Sequence, residues 1–149
     1  MIPAHVLLVD DEPSVRQVLS RWIKVIGYDA VEAETGEAGL EAMTVNPAAV
    51  VFCDVQMPGR GGLWLAGVLR AQFPQTAIIL ATGVTTVPAT TSLRPGIIAY
   101  LTKPFDAPTV RTALEQSMVW HRAAVASGVR PSGPDEDNAG LQAWLDSLE

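Results

Sequence analysis

The sequence predicts an α/β fold. Five strands alternate with five helices, a (βα)5 arrangement around a five-stranded parallel sheet. Three observations predict it. The apolar runs Val6–Val9, Ala48–Cys53 and Ala77–Ala81 are strand-sized and almost unbroken, as strands buried on both faces read. Between them lie stretches whose apolar residues recur at helical spacing. The two kinds of segment alternate from residue 5 to residue 126, the pattern of successive βαβ units with helices on both faces of the sheet.

The elements follow in order. Val6–Val9 ends in Asp10-Asp11, and Pro13 suits the first turn of a helix. Val15, Val18, Leu19, Trp22, Ile23 and Ile26 then mark one helical face, which Gly27 terminates. Tyr28–Ala33 is a second strand, and Thr35-Gly36-Glu37 opens a second helix running to about Thr44. Asn46-Pro47 breaks that helix, and the third strand ends at Asp54. After the loop Pro58-Gly59-Arg60-Gly61-Gly62, Leu65, Val68 and Leu69 mark a third helix, stopped before Pro74. The fourth strand ends at Thr82-Gly83, and the fifth, Ile97–Leu101, runs up to Lys103-Pro104. Between those two strands, Val84–Arg94 carries Thr85, Thr86, Thr90, Thr91, Ser92 and Pro88. Proline and β-branched residues disfavour helix, so a short, irregular or mobile fourth helix is expected. The fifth helix spans about Ala107–Ala126.

Composition narrows the function classes. The chain has 149 residues, 48% of them apolar and 17% charged, enough to bury a core and too apolar for a disordered chain. No apolar run approaches the roughly 18–20 residues of a membrane span, and the N-terminus carries no secretory signal pattern. One cysteine, Cys53, excludes an internal disulfide and fits a reducing, cytoplasmic setting. Residues 1–126 are nearly charge-balanced, whereas residues 127–149 hold five acids against one base. Neither part has the basic patch that direct nucleic-acid binding requires. The expected domains are therefore a folded unit over 1–126 and, over 127–149, an acidic linker followed by a short amphipathic helix. Leu141, Trp144, Leu145 and Leu148 mark that helix.

The chemistry collects at strand ends. In open α/β sheets ligands bind beyond the carboxyl ends of the strands. Here those ends carry Asp10 and Asp11, Asp54, Thr82 and Lys103. Parallel strands bring these five side chains to one rim. Clustered carboxylates repel unless compensated, and an all-oxygen set without histidine or thiol suits a hard cation, Mg2+ above all. A carboxylate flanked by a divalent cation, an ammonium and a hydroxyl is arranged to attack a phosphoryl group.

The same residues carry a resemblance. Val9-Asp10-Asp11-Glu12-Pro13, Asp54-Val55-Gln56-Met57-Pro58-Gly59, Ala81-Thr82-Gly83 and Tyr100-Leu101-Thr102-Lys103-Pro104-Phe105 resemble the receiver domain of two-component response regulators. The resemblance covers about residues 4–126. It implies a doubly wound, flavodoxin-like sheet of order 2-1-3-4-5. It implies that Asp54 is the phosphoacceptor for a sensor histidine kinase or phosphotransfer protein. Asp11 and Asp54 would ligate Mg2+ directly, Asp10 mostly through water, and the Gln56 backbone carbonyl would be another ligand. Thr82 and Lys103 would contact the phosphoryl oxygens, Tyr100 would be the aromatic switch coupled to Thr82, and Lys103-Pro104 would be cis. Gln56 and Val84 would tune hydrolysis of the acyl phosphate. The domain would then be a self-limiting timer and not a turnover enzyme.

Its output would pass to a downstream effector protein or output domain. A second copy is a further partner, docked through the fourth helix, fifth strand and fifth helix. Three alternatives stay open: a receiver that is part of a larger transcriptional regulator or hybrid histidine kinase, a Mg2+-dependent aspartyl-phosphate phosphohydrolase, and a scaffold that is never phosphorylated. Each residue also has a plainer reading. Asp10-Asp11 could open a helix, Tyr100 could be core, and Cys53 reads as a small buried hydrophobe. His5 and His121 have no partner ligands nearby in sequence.

Overall fold

A computed structural model describes residues 4–57, 59–83 and 96–129. The elements are β1 (His5–Val9), α1 (Pro13–Ile26), β2 (Asp29–Ala33), α2 (Gly36–Val45), β3 (Val50–Asp54), α3 (Gly62–Gln72), β4 (Ala77–Thr82), β5 (Ile97–Thr102) and α4 (Ala107–Ser127). All strand pairs are parallel, in the order β2-β1-β3-β4-β5. The expected fold class therefore holds. The expected helix over 84–94 and the tail with Leu141, Trp144, Leu145 and Leu148 lie outside the described residues.

Local chemistry sets the helix limits. Pro13 occupies the first turn of α1, and Gly27 ends it with φ 117°, its N–H donating to the carbonyls of Ile23 and Lys24. That left-handed backbone favours glycine. Thr35 caps α2 by accepting from the Ala38 N–H at 3.0 Å, and Asp106 caps α4 by accepting from Thr109 at 2.9 Å.

Side chains alternate across the sheet into two cores. Leu7 and Val9, Val51 and Cys53, and Ile78 and Leu80 pack with α2 and α3 residues such as Met43, Leu65 and Leu69. Val6 and Leu8, Val50 and Phe52, and Ile79 and Ala81 pack with Leu19 and Ile23 of α1 and Val110, Leu114 and Met118 of α4. Both faces of β1, β3 and β4 are thus covered, which is why these strands read as continuous apolar runs. The edge strand β2 is largely exposed.

β5 breaks the alternation once. Ile78 pairs with Ile97, but Ile79 pairs with Ala99, so Ile98 is passed over. This is a β-bulge, one extra residue against the partner strand.

Candidate functional site

The register aligns the carboxyl ends of the inner strands. Val9 pairs with Cys53, Asp54 with Ala81, and Thr82 with Thr102. Asp54 and Thr82 are themselves the last residues of β3 and β4. Each lies within the ladder, at the strand end the sequence predicts. Pairing continues through Asp54–Ala81 and on to the Val55 N–H, which donates to the Ala81 carbonyl at 2.8 Å.

Strand alternation places Asp10 and Asp54 together. Asp54 continues the Val50, Phe52 face of β3, and Asp10 follows Val6 and Leu8. Both carboxylates are buried, and Lys103 reaches in from the end of β5. Its Nζ donates to Asp10 Oδ2 at 3.0 Å and to Asp54 Oδ2 at 3.2 Å. Glu12 Oε1 lies farther off, 3.9 Å from the same ammonium. The other oxygens are oriented by backbone: Asp10 Oδ1 accepts from the Glu12 N–H at 2.9 Å, and Asp54 Oδ1 from the Gln56 N–H at 3.1 Å.

One ammonium does not balance this negative charge. Asp54 is pushed up to about 6, first by burial and then by the charge of Asp10, against the opposing Gln56 N–H and Lys103. Burial alone would lower Lys103; its hydrogen bond to Asp10 and the charges of Asp54 and Asp10 outweigh this and hold it above the ordinary lysine value. One ligand oxygen each from Asp10, Asp11 and Glu12 gather within 4.8 Å of one another. An all-carboxylate set with excess negative charge fits a hard divalent cation. Asp10 also helps open α1, since its Oδ1 holds the Glu12 N–H ahead of Pro13, and no side chain caps the helix at Glu12 itself.

The loops behind the acceptor are tightly packed. A Cβ at Gly62 would run into the carbonyl oxygen of Asp54 and lie 2.8 Å from Cys53 Sγ. One at Gly36 would meet the carbonyl of Arg60, whose guanidinium lies 4.9 Å over the Trp64 ring. Cys53 is fully buried, and its thiol is pushed far up by burial and by Asp54 and Asp10.

The structure brings Asp10, Asp11, Asp54 and Lys103 to one rim, as the strand ends require. Thr82 is buried at the same rim, and its carbonyl accepts from the Lys103 N–H at 2.8 Å. Gln56 is exposed, with its side-chain oxygen beside Gly83. Tyr100 is half-buried on the α2/α3 face, opposite Leu80. The Lys103-Pro104 bond is cis. Val84 lies outside the described residues. Sequence reasoning passed over Glu12, although it extends the run Asp10-Asp11. It also passed over Arg16, whose contact with Asp10 is to a backbone atom and leaves no pattern in the sequence.

The sequence pattern of the response regulator receiver domain matches residues 6–115. The chain belongs to the response regulator receiver family. FleR, a response regulator protein of Pseudomonas aeruginosa, is 33% identical over 132 residues, covering 88% of this chain and 27% of its own. The transcriptional regulatory protein YkoG of Bacillus subtilis is 34% identical over 149 residues, covering 99% of this chain and 60% of its own. Among solved structures, the receiver resembles the chemotaxis protein CheY4 of Vibrio cholerae, with a TM-score of 0.70 and 29% identity over 78% of this chain and 99% of that one. This receiver therefore spans about a quarter of FleR and somewhat over half of YkoG. No described helix is long and apolar enough to cross a membrane.

Proposed function

We propose that this receiver accepts a phosphoryl group on Asp54 and reports it through the surrounding loops. The observation that carries the reading is the bridge from Lys103 to both Asp10 and Asp54 at the rim of the sheet. A carboxylate oxygen of Asp54 attacks the phosphorus of a phosphohistidine. The P–N bond breaks, the imidazole leaves and takes up a proton, and an acyl phosphate remains on Asp54. Lys103 offsets the charge on the phosphoryl oxygens, and Thr82 supplies a hydroxyl donor to them. Water later attacks the same phosphorus, which restores the carboxylate and releases phosphate. The chain is thus a timer and not a turnover enzyme.

Mg2+ is the cation that the donor set suits; Asp11, Asp54 and the Gln56 carbonyl would hold it. Asp10, already engaged by Lys103 and the Glu12 N–H, acts through water. Bound there, the cation supplies positive charge to the transferring oxygens. Tyr100 is the switch residue paired with Thr82. The donor is a sensor histidine kinase or phosphotransfer protein, and the signal passes to an output domain or separate effector. A cytoplasmic setting follows from this reading, since the phosphodonor must reach Asp54.

The test is incubation with Mg2+ and acetyl phosphate, read by intact mass, with Asp54→Asn alongside. A single phosphoryl adduct that requires Mg2+ and is lost in the variant is expected. No adduct on the wild type, together with no beryllofluoride complex, favours the silent scaffold.

A further inference from the structure

We propose that Arg16 is a positioning residue for the cation site, acting through the backbone of Asp10. The inference rests on the reading that Asp11, in the turn after β1, is a direct cation ligand and that Asp10 beside it acts through water. Every polar group of Asp10 has a partner. Its N–H donates to the Ala33 carbonyl at 3.1 Å. Its two carboxylate oxygens accept from the Glu12 N–H and from Lys103. Its carbonyl accepts from Arg16 Nη1 at 2.6 Å, the shortest of these contacts.

The same guanidinium reaches sideways. Arg16 Nε donates to Glu32 Oε1 at 3.1 Å, on the edge strand β2. Arg16 itself stands in the first turn of α1, where its own N–H donates to the Glu12 carbonyl at 3.2 Å. One planar fork therefore staples three things: the turn after β1, the end of β2 and the start of α1. A guanidinium presents such paired donors in fixed geometry, which an ammonium does not. Its side chain is 14% exposed, against 40% for Glu32. The fork is largely sheltered from water.

Charge and geometry have opposite signs here. As a cation beside an acidic turn, Arg16 repels a metal ion, so its loss would tighten binding. As a staple, it holds the Asp10 backbone and so sets where Asp10 and Asp11 present their carboxylates, so its loss weakens binding. Glu32 pairs with the guanidinium at 3.1 Å, and the contact to Asp10 is to a backbone oxygen whose place sets the turn, so geometry is the larger effect. Groups that support metal ligands typically change affinity about 10–100-fold when removed.

The experiment is calorimetric titration of the whole unphosphorylated chain with MgCl2 alone, for wild type, Arg16→Ala and Arg16→Lys, with a metal-free thermal melt of each. Arg16→Ala is expected to weaken Mg2+ about tenfold. Arg16→Lys keeps the charge and loses the fork, and is expected to weaken it as well. Unchanged or tighter binding in either variant overturns the proposal, and a lowered melting temperature with unchanged affinity does the same by making Arg16 a brace only. Absence of Mg2+ binding by the wild type overturns the cation-site reading first, and the role of Arg16 with it.

Discussion

Lys103 and Asp54 are 49 residues apart in sequence and 3.2 Å apart in space. Their contact is made by parallel packing alone, since each ends or follows a strand of the same sheet. Lys103 is one of the two influences that hold Asp54 down against burial and Asp10. Lys103→Gln is therefore expected to raise the Asp54 pKa above about 6 in the metal-free protein. Carboxyl carbon chemical shifts against pH measure it, and a value at or below the wild-type one would contradict the geometry.

Asp54 also shapes stability against pH. Its pKa in the fold, about 6, exceeds the ordinary value of 3.8. The folded state therefore favours the protonated form, and ionising Asp54 costs stability. This contribution is intact below 3.8 and is lost as pH rises through about 6. Metal-free Asp54→Asn is expected to exceed wild type by ~1–3 kcal/mol above that window, and the gap should shrink as pH falls through it. Urea melts across pH 3.5–8 read the gap, and a gap that widens towards acid would show the opposite sign.

Gly62→Ala tests the packing behind the acceptor. Alanine would favour helix by up to about 1 kcal/mol, but its Cβ meets the Asp54 carbonyl and Cys53 Sγ. Backbone cannot yield as a flexible side-chain tip would, so overpacking prevails. A net loss of ~1–3 kcal/mol is expected, with slower phosphorylation because the Asp54 backbone must shift. A melt no lower than wild type would show that the loop can move aside.

Cys53 is expected to resist alkylation in the native protein. Burial, Asp54 and Asp10 all keep its thiol protonated, and the thiolate is the reactive form. Iodoacetamide should modify it in urea and not in buffer, as read by mass. Rapid native labelling would mean that β3 opens far more often than its burial implies.

Much of this site was legible because its residues close apolar runs. Asp10, Asp54, Thr82 and Lys103 each follow or end a short apolar stretch that reads as a strand, and parallel packing aligns such ends. Thr35 and Gly27 were legible as punctuation for the same local reasons. Arg16 was not, because a bond to a carbonyl oxygen selects no side chain at the other end. Gly62 reads as one more loop glycine until the Asp54 backbone is seen against it. The run Ile97–Leu101 gives no hint of its bulge, since every residue in it is apolar or aromatic.

That bulge decides how β5 acquires its orientation. In an unbroken pleat Ile97 and Tyr100 would point to opposite sides; here both lie on the α2/α3 side, because Ile98 is skipped. The strand thus slips phase once, below the site. Above the slip, Tyr100 and Thr102 are set by their neighbours Leu80 and Thr82 on β4. Orientation is inherited laterally, from strand to strand, and not along the chain. A change of length ahead of Ile98 can be absorbed at the slip, with Tyr100 and Lys103 still facing as they do. A one-residue shift of β4 cannot be absorbed, and would turn Tyr100 to the opposite side of the sheet.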